Sequence, residues 1–227
     1  MSVELVVFDL AGTTLKENFD VQRILTNAFW RQGLTVSIEQ ANKVMGIPKP
    51  VAIRQLLETL KFPAINDGFI REIHADFVAE MISFYQNDST VVENDGVTET
   101  LQALKKNGIK VVVDTGFDRP IVDALLGRMG WQHSDLIDGS VTSDEVANGR
   151  PHPDLIFKAM EMTGVSNSTH VAKVGDTLSD LLEGHAAGCG FVVGIASGAY
   201  TKEQLAQAPH THIIERIPEL KSVLGLQ

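Results

Sequence analysis

Cysteine occurs once in the 227 residues, as Cys189, so neither an internal disulfide nor a cysteine-based metal cluster can form within the chain. Positive charge is also scarce: 19 lysines and arginines face 29 aspartates and glutamates, a formal net charge of −10. Such a field repels nucleic-acid phosphates and anionic lipid surfaces, which excludes nucleic acid and membrane as expected partners and requires a local site to hold any anionic ligand. No apolar run approaches the roughly 18 residues that span a bilayer, and the N-terminus lacks a basic flank and a long apolar signal core. Internal repeats and low-complexity tracts are missing as well. The expectation is a globular, cytoplasmic protein whose 44% apolar residues suffice for one large domain or two modest ones.

What is present is a change of rhythm along the chain. Glu4 to Phe8 reads as a buried strand that delivers Asp9 to a turn containing Gly12, Thr13 and Thr14. From about Asp20 to Asn87 the spacing is helical, with Val21, Ile24, Leu25, Ala28 and Phe29 on one face and further periodic stretches at 39–45, 51–60 and 69–84. A helix then runs to Lys106 and ends at the left-handed cap Asn107-Gly108, and Ile109 to Val113 follows as an apolar strand. Alternation continues with helices at 120–129, 154–162 and 179–187, strands at 136–139, 170–174 and 190–195, a short strand at Ile213-Ile214 and a terminal helix from Pro218. This predicts an α/β fold, a parallel sheet flanked by helices on both faces, with ligands beyond the carboxyl ends of the strands. The expected domains are an α/β core, 1–15 with 91–227, and a small all-helical cap inserted at 16–90.

Asp9, Thr115 in Asp114-Thr115-Gly116, and Asp176 in Gly175-Asp176-Thr177-Leu178-Ser179-Asp180 all fall at strand ends. Two or three carboxylates gathered there repel one another unless a cation neutralises them, and a hard, oxygen-lined site beside phosphate favours Mg²⁺. A carboxylate beside such a cation is a competent nucleophile without a general base. The seven histidines show no zinc-site spacing and are expected mostly at the surface; His152, beside Arg150, is the one nearest a motif. Lys173 reads equally as a phosphate contact or as a surface or salt-bridging residue.

Taken in order, these segments resemble the four motifs of the haloacid dehalogenase (HAD) superfamily over the whole chain, which implies a Rossmannoid core and a hydrolase working through an aspartyl phosphate. The resemblance implies Asp9 as nucleophile, Thr115 as phosphate-binding hydroxyl, Arg150 as the third-motif cation, and Asp9, the Ala11 carbonyl, Asp176 and Asp180 as the Mg²⁺ site. Substrate phosphorus would be held by Gly12, Thr13, Thr115, Gly116 and Arg150.

Two departures refine this expectation. Ala11 stands where relatives carry the aspartate that protonates a leaving alcohol, and Arg150 where most carry lysine. With the string Asp9-Leu10-Ala11-Gly12-Thr13-Thr14, these resemble the phosphonoacetaldehyde hydrolases, or phosphonatases, which cleave a carbon–phosphorus bond after a cap lysine condenses with the aldehyde. Met45-Gly46-Ile47-Pro48-Lys49 matches that family's Met-Gly-x-x-Lys segment and implies Lys49 as the Schiff-base and substrate-binding lysine. The match is partial: Ala52 replaces the histidine three residues on, and Phe117 the aromatic hydroxyl after the second-motif glycine. Three readings stay open: phosphonatase-like cleavage of phosphonoacetaldehyde or a close analogue, hydrolysis of a small phosphomonoester in the manner of a phosphoglycolate phosphatase, and binding of a phospho-ligand with negligible turnover. The expected partner is in each case a small phosphorus-containing metabolite. A cap-helix face bearing Phe29 and Trp30 reads equally as a homodimer surface or as core packing within the cap.

Overall fold

The computed structural model describes residues 3–226. Six parallel strands form one sheet: β1 (Leu5–Phe8), β2 (Lys110–Thr115), β3 (Gly139–Thr142), β4 (Val171–Gly175), β5 (Phe191–Ile195) and β6 (His212–Ile214), in the order β3-β2-β1-β4-β5-β6. The order reverses at β1, which pairs with β2 on one side (Phe8 opposite Val113) and β4 on the other (Phe8 opposite Val174). A crevice therefore opens beyond β1, where crossovers leave the sheet in opposite directions. Asp9, Thr115 and Asp176 stand at the carboxyl ends of those three neighbouring strands.

Strand alternation divides the core in two. Val6, Phe8, Val111, Val113, Ala172 and Val174 pack with α5 (Val97–Lys106) and α6 (Arg119–Met129) on one face. Leu5, Val7, Val112 and Val141 pack with α7 (Asp154–Thr163) on the other. Both faces are covered, which is why the inner strands carry nearly continuous apolar runs. Beyond β4 lies α8 (Leu178–Ala186), and α9 (Lys202–Leu205) and α10 (Leu220–Val223) complete the C-terminal part.

The helical stretch after β1 consists of α1 (Asp20–Arg31), α2 (Ile38–Asn42), α3 (Lys49–Thr59) and α4 (Asp67–Asn87). α1 and α3 pack on α4, and α4 in turn packs on α6. The chain leaves and re-enters the α/β part side by side. Leu15 bridges Glu93, the Lys16 amide donates to Val92 O at 3.0 Å, and Asn94 Nδ2 donates to Thr13 O at 2.8 Å and Leu15 O at 3.2 Å.

Several elements differ from the sequence reading. β3 lies three residues later than 136–139, because Leu136 and Ile137 pack on the core as loop residues while ladder pairing begins at Gly139, opposite Val112. As an edge strand it needs no apolar run. α2 is shorter than expected, starting at the Ser37–Gln40 capping box and ending at Asn42. The C-terminal segment opens with a 3₁₀ turn at Ile217–Glu219 before α10. On α1, Phe29 is fully buried, so it belongs to the core rather than to an exposed face; Trp30 is 74% exposed. His74, expected at the surface, is half-buried with Nε2 3.2 Å from Asp118 Oδ2. Among the described residues no helix is long and apolar enough to cross a membrane.

The loop before α3 is docked so closely that side chains would not fit. A Cβ on Gly116 would lie 2.8 Å from Ile47 O, one on Gly149 would lie 2.3 Å from Pro48, and one on Gly46, where φ is +82°, would lie 2.3 Å from Thr177 Oγ1. Gly116 faces a backbone carbonyl, which cannot yield cheaply. Gly116→Ala is therefore expected to cost roughly 1–3 kcal/mol of stability and to raise hydrogen exchange at the amides of residues 45–49; unchanged exchange there would contradict the docking.

Candidate active site

Arg150, in the loop before α7, is fully buried and turns its guanidinium into a ring of acids. Nη1 donates to Asp9 Oδ1 at 2.6 Å and lies 2.8 Å from Asp180 Oδ1. Nη2 donates to Asp114 O at 3.0 Å and to the Asp114 carboxylate, and Nε donates to Glu183 Oε2 at 2.9 Å. Lys173 joins the same ring. Its Nζ donates to Asp114 Oδ1 and lies 3.2 Å from both Asp180 Oδ1 and Glu183 Oε2. Far from the surface role the sequence allowed, Lys173 is wholly buried in the middle of β4.

Asp176 is pinned on the other side of Asp9. It accepts Thr13 Oγ1–H at 3.2 Å and the Ala199 amide at 2.6 Å, and glycines at 12 and 198 leave it room: a Cβ there would lie 2.4 Å and 2.0 Å from its Oδ2. Gly12 adopts φ +89°, a conformation other residues rarely take. Asp180 caps α8 reciprocally with Thr177, its Oδ2 accepting the Thr177 hydroxyl at 2.5 Å and amide at 3.1 Å.

These acids outnumber their cations. Asp9, Asp114, Asp176, Asp180 and Glu183 are five carboxylates against Arg150 and Lys173, leaving three formal negative charges. Burial first, then Asp180, pushes Asp9 up to about 7 despite the Arg150 contact. Asp176 is driven well above the carboxylate range by burial, then Asp9 and Asp180. Glu183 rises to about 8 through burial and Asp114. Asp180 is the exception: burial opposes its ionisation, but Arg150 and Lys173 outweigh that and hold it low. Oxygens of Asp9, Asp176 and Asp180 lie within 4.8 Å of one another. A buried all-oxygen trio with excess negative charge fits a hard divalent cation.

In front of the acids lies a cavity lined at one end by Asp9, Ala11, Thr115, Gly116, Asp176 and Thr177. Thr115 Oγ1 accepts the Phe117 amide at 3.2 Å, so its own proton is free to donate inward. At the other end stand Lys49, Phe117, Glu17, Val21, Gln22 and Met45. Of the residues expected from sequence, Asp9, Ala11, Lys49, Thr115, Gly116 and Asp176 meet in this cavity. Gly12, Thr13, Arg150 and Asp180 stand behind its wall, where Thr13 and Arg150 hold carboxylates.

Comparison with known proteins decides the family. A family profile described as "haloacid dehalogenase-like hydrolase" matches residues 3–188. The chain belongs to that family. This HAD hydrolase is also 32% identical to a phosphonoacetaldehyde hydrolase of Bacillus cereus over 96% of this chain and 86% of that protein. It is 31% identical to one of Bacteroides fragilis, over 96% and 87%. Among solved structures, a phosphonoacetaldehyde hydrolase-like protein from Oleispira antarctica superposes with TM-score 0.86 at 23% identity, covering 99% of this chain and 92% of that one. A predicted phosphoglycolate phosphatase from Haemophilus somnus gives 0.80 at 21% identity, over 98% of each. The HAD hydrolase is thus phosphonatase-like in sequence and shares its fold with both groups.

The HAD motifs account for most of the acidic end of the cavity, and sequence reasoning missed residues both behind that end and at the other. Asp114 and Glu183 carry a legible trace, since Glu183 follows Asp180 by one helical turn and Asp114 precedes the motif threonine. Glu17, Gln22 and Tyr85 belong to no motif.

The charge excess yields a signed prediction. Raised carboxyl pKa values mean that the folded state binds more protons than the unfolded one, so this contribution is fully favourable below about pH 4 and is lost as pH rises through about 7. Chelated protein should therefore lose thermal stability across that window, and a divalent cation at about 100 times its Kd should restore roughly 2.7 kcal/mol, about 5–10 °C in Tm. Asp176→Asn should be more stable than wild type under chelation and gain far less from the cation. Arg150→Leu should lose roughly 3–5 kcal/mol, since it strands buried carboxylates; melting curves at pH 5 and 8 read all three.

Proposed function

We propose that this hydrolase cleaves the carbon–phosphorus bond of phosphonoacetaldehyde or a close analogue, with Asp9 as nucleophile and Lys49 as the amine that activates the aldehyde. The observation that carries this reading is the state of Lys49. Its ammonium is buried at the N-terminus of α3, 5.1 Å from the Phe117 ring centroid and 5.7 Å from that of Phe77. Among the described residues no carboxylate lies close enough to pair with it. Burial lowers its pKa to about 8, attraction to Asp9 opposing and repulsion from Arg150 assisting. A lysine serving only to bind an anion gains nothing from losing its charge; an amine nucleophile does.

The phosphoryl end is suited to its half of the reaction. Arg150 fixes Asp9 through Oδ1 and leaves Oδ2 to attack phosphorus. Thr115 and Gly116 line the cavity beside Asp9, where the Thr115 hydroxyl and the Gly116 amide would donate to phosphoryl oxygens. Asp9, Asp176 and the Ala11 carbonyl, with Asp180 completing the acidic trio, would hold Mg²⁺, which supplies charge neutralisation to the phosphoryl group when bound. As the P–O bond to Asp9 forms, the C–P bonding pair passes into the iminium on Lys49 and becomes an enamine. That leaving group needs no proton at departure, which matches the apolar Ala11 in place of an acid. Water then hydrolyses the aspartyl phosphate and releases a proton, the enamine carbon takes up a proton to restore an iminium, and hydrolysis of that iminium frees acetaldehyde and the Lys49 amine.

Phosphate release from phosphonoacetaldehyde is expected to require a divalent cation, to be abolished by EDTA, and to fall at least 10²-fold in Lys49→Ala. Borohydride added during turnover should fix a substrate-derived mass on Lys49. Turnover of phosphomonoesters that is indifferent to Lys49→Ala, with no trapped adduct, would transfer the assignment to a phosphatase; binding without turnover of either class would leave a phospho-ligand binder.

A further inference from the structure

Making an imine moves protons, and the sequence has Ala52 and Phe117 where the family resemblance places groups for that task. Of the titratable groups lining the cavity, Asp9 and Asp176 belong to the phosphoryl end and Lys49 is itself the amine. Glu17 remains, at the mouth of α1 on the organic side. We propose that Glu17 is the acid and base that carries protons between Lys49 and the carbonyl oxygen, an inference that rests on the carbon–phosphorus reading above.

Its geometry suits the role. Oε1 accepts the Val21 amide at 3.1 Å, which fixes the carboxyl against α1, while Oε2 has no ion-pair partner among the described residues. The charged and titratable groups acting around it are Asp20 and Arg23 from α1, Lys49 from α3 and Tyr85 from α4. Burial, helped by Asp20 and opposed by the Val21 amide and Arg23, raises the carboxyl to about 7, where donating and accepting are both easy near neutral pH. Two neighbours point the same way. Gln22 Oε1 is buried in the cavity wall with no hydrogen-bond partner, an acceptor suited to the hydroxyl of an amine adduct. Tyr85 packs edge-on to Phe117, ring centroids 6.1 Å apart, with its hydroxyl buried and unpartnered. A wholly apolar ligand end would strand these groups.

The proton balance closes on one carboxyl group. The Lys49 lone pair bonds to the carbonyl carbon, the C=O π pair moves to oxygen, and that oxygen takes the proton of Glu17. The adduct's ammonium returns a proton to the Glu17 carboxylate. The C–O bond then breaks as oxygen takes that proton again and leaves as water, while the nitrogen lone pair forms the iminium. Glu17 ends ionised and regains its proton when the imine is hydrolysed.

Glu17→Gln is the diagnostic variant, because its amide oxygen can still accept the Val21 amide while the transferable proton is gone. With phosphonoacetaldehyde and saturating Mg²⁺, it is expected to lower kcat about 10²-fold or more with little change in KM, to slow borohydride-trappable adduct formation equally, and to flatten the pH profile near 7. Glu17→Asp should recover part of the rate, and acetate should partly rescue Glu17→Ala. Wild-type trapping kinetics and an unchanged pH profile in Glu17→Gln would overturn the role of Glu17 while leaving the lysine chemistry standing. Absence of any trapped adduct in wild type would instead remove the carbon–phosphorus reading, and the role of Glu17 with it.

Discussion

The structure is organised around one buried guanidinium. Arg150 contacts four carboxylates contributed by the ends of β1 and β2 and by α8, so a single planar cation ties together elements that are distant in sequence. Arginine suits this better than lysine, because its fixed fork directs separate N–H groups to separate acids, whereas an ammonium is a point charge on a flexible stem. Lys173 supplies the second cation from β4. Removing either partner class leaves a buried charge without compensation, which is why neither the acids nor the cations can be understood singly. The catalytic carboxylate of the proposed mechanism is thus held by the same guanidinium that joins the ends of β1 and β2 to α8.

That arrangement separates two tasks. Charge is managed behind the cavity wall, by Arg150, Lys173, Asp114 and Glu183, and chemistry is left to the few groups that reach the cavity. Across it, the loop of residues 43–48 closes the space through tight contacts at Gly46, Gly116 and Gly149, of which Gly116 meets backbone. The result is an acidic end and, within the same cavity, an end where Lys49, Glu17 and Gln22 stand beside Phe117.

Much of this is legible in the sequence. Apolar runs ending in a polar residue and a turn former located Asp9, Thr115 and Asp176, because a parallel strand buried on both faces leaves little else in its sequence. The edge strand β3 was misplaced for the complementary reason: half-exposed, it carries Gly139, Ser140 and Thr142, while the apolar pair beside it is loop. Lys173 was ambiguous because spacing alone does not say that a charge within an apolar run has found carboxylates, although Ala172 and Val174 on either side were the clue. The sequence identifies Arg150 but not its task, since which atoms a guanidinium meets depends on how β1, β2 and α8 come together. Glu17 lies in the segment before α1, outside any periodic pattern, and Gln22 and Tyr85 come from helices whose pattern reports only which face is apolar.

The depth of Lys49 makes its reactivity conditional. An exposed lysine with its ordinary pKa near 10.5 is neutral in only about 0.03% of molecules at pH 7, whereas one held at about 8 is neutral in roughly 9%. Enclosure by Phe77, Phe117 and the loop before α3 thus raises the supply of free amine by roughly two orders of magnitude without altering the side chain. Under the proposed function, an aldehyde would meet a free amine only after a phosphoryl anchor had carried it into the cavity, and selectivity among aldehydes would follow from where the lysine is kept, ahead of any contact it makes.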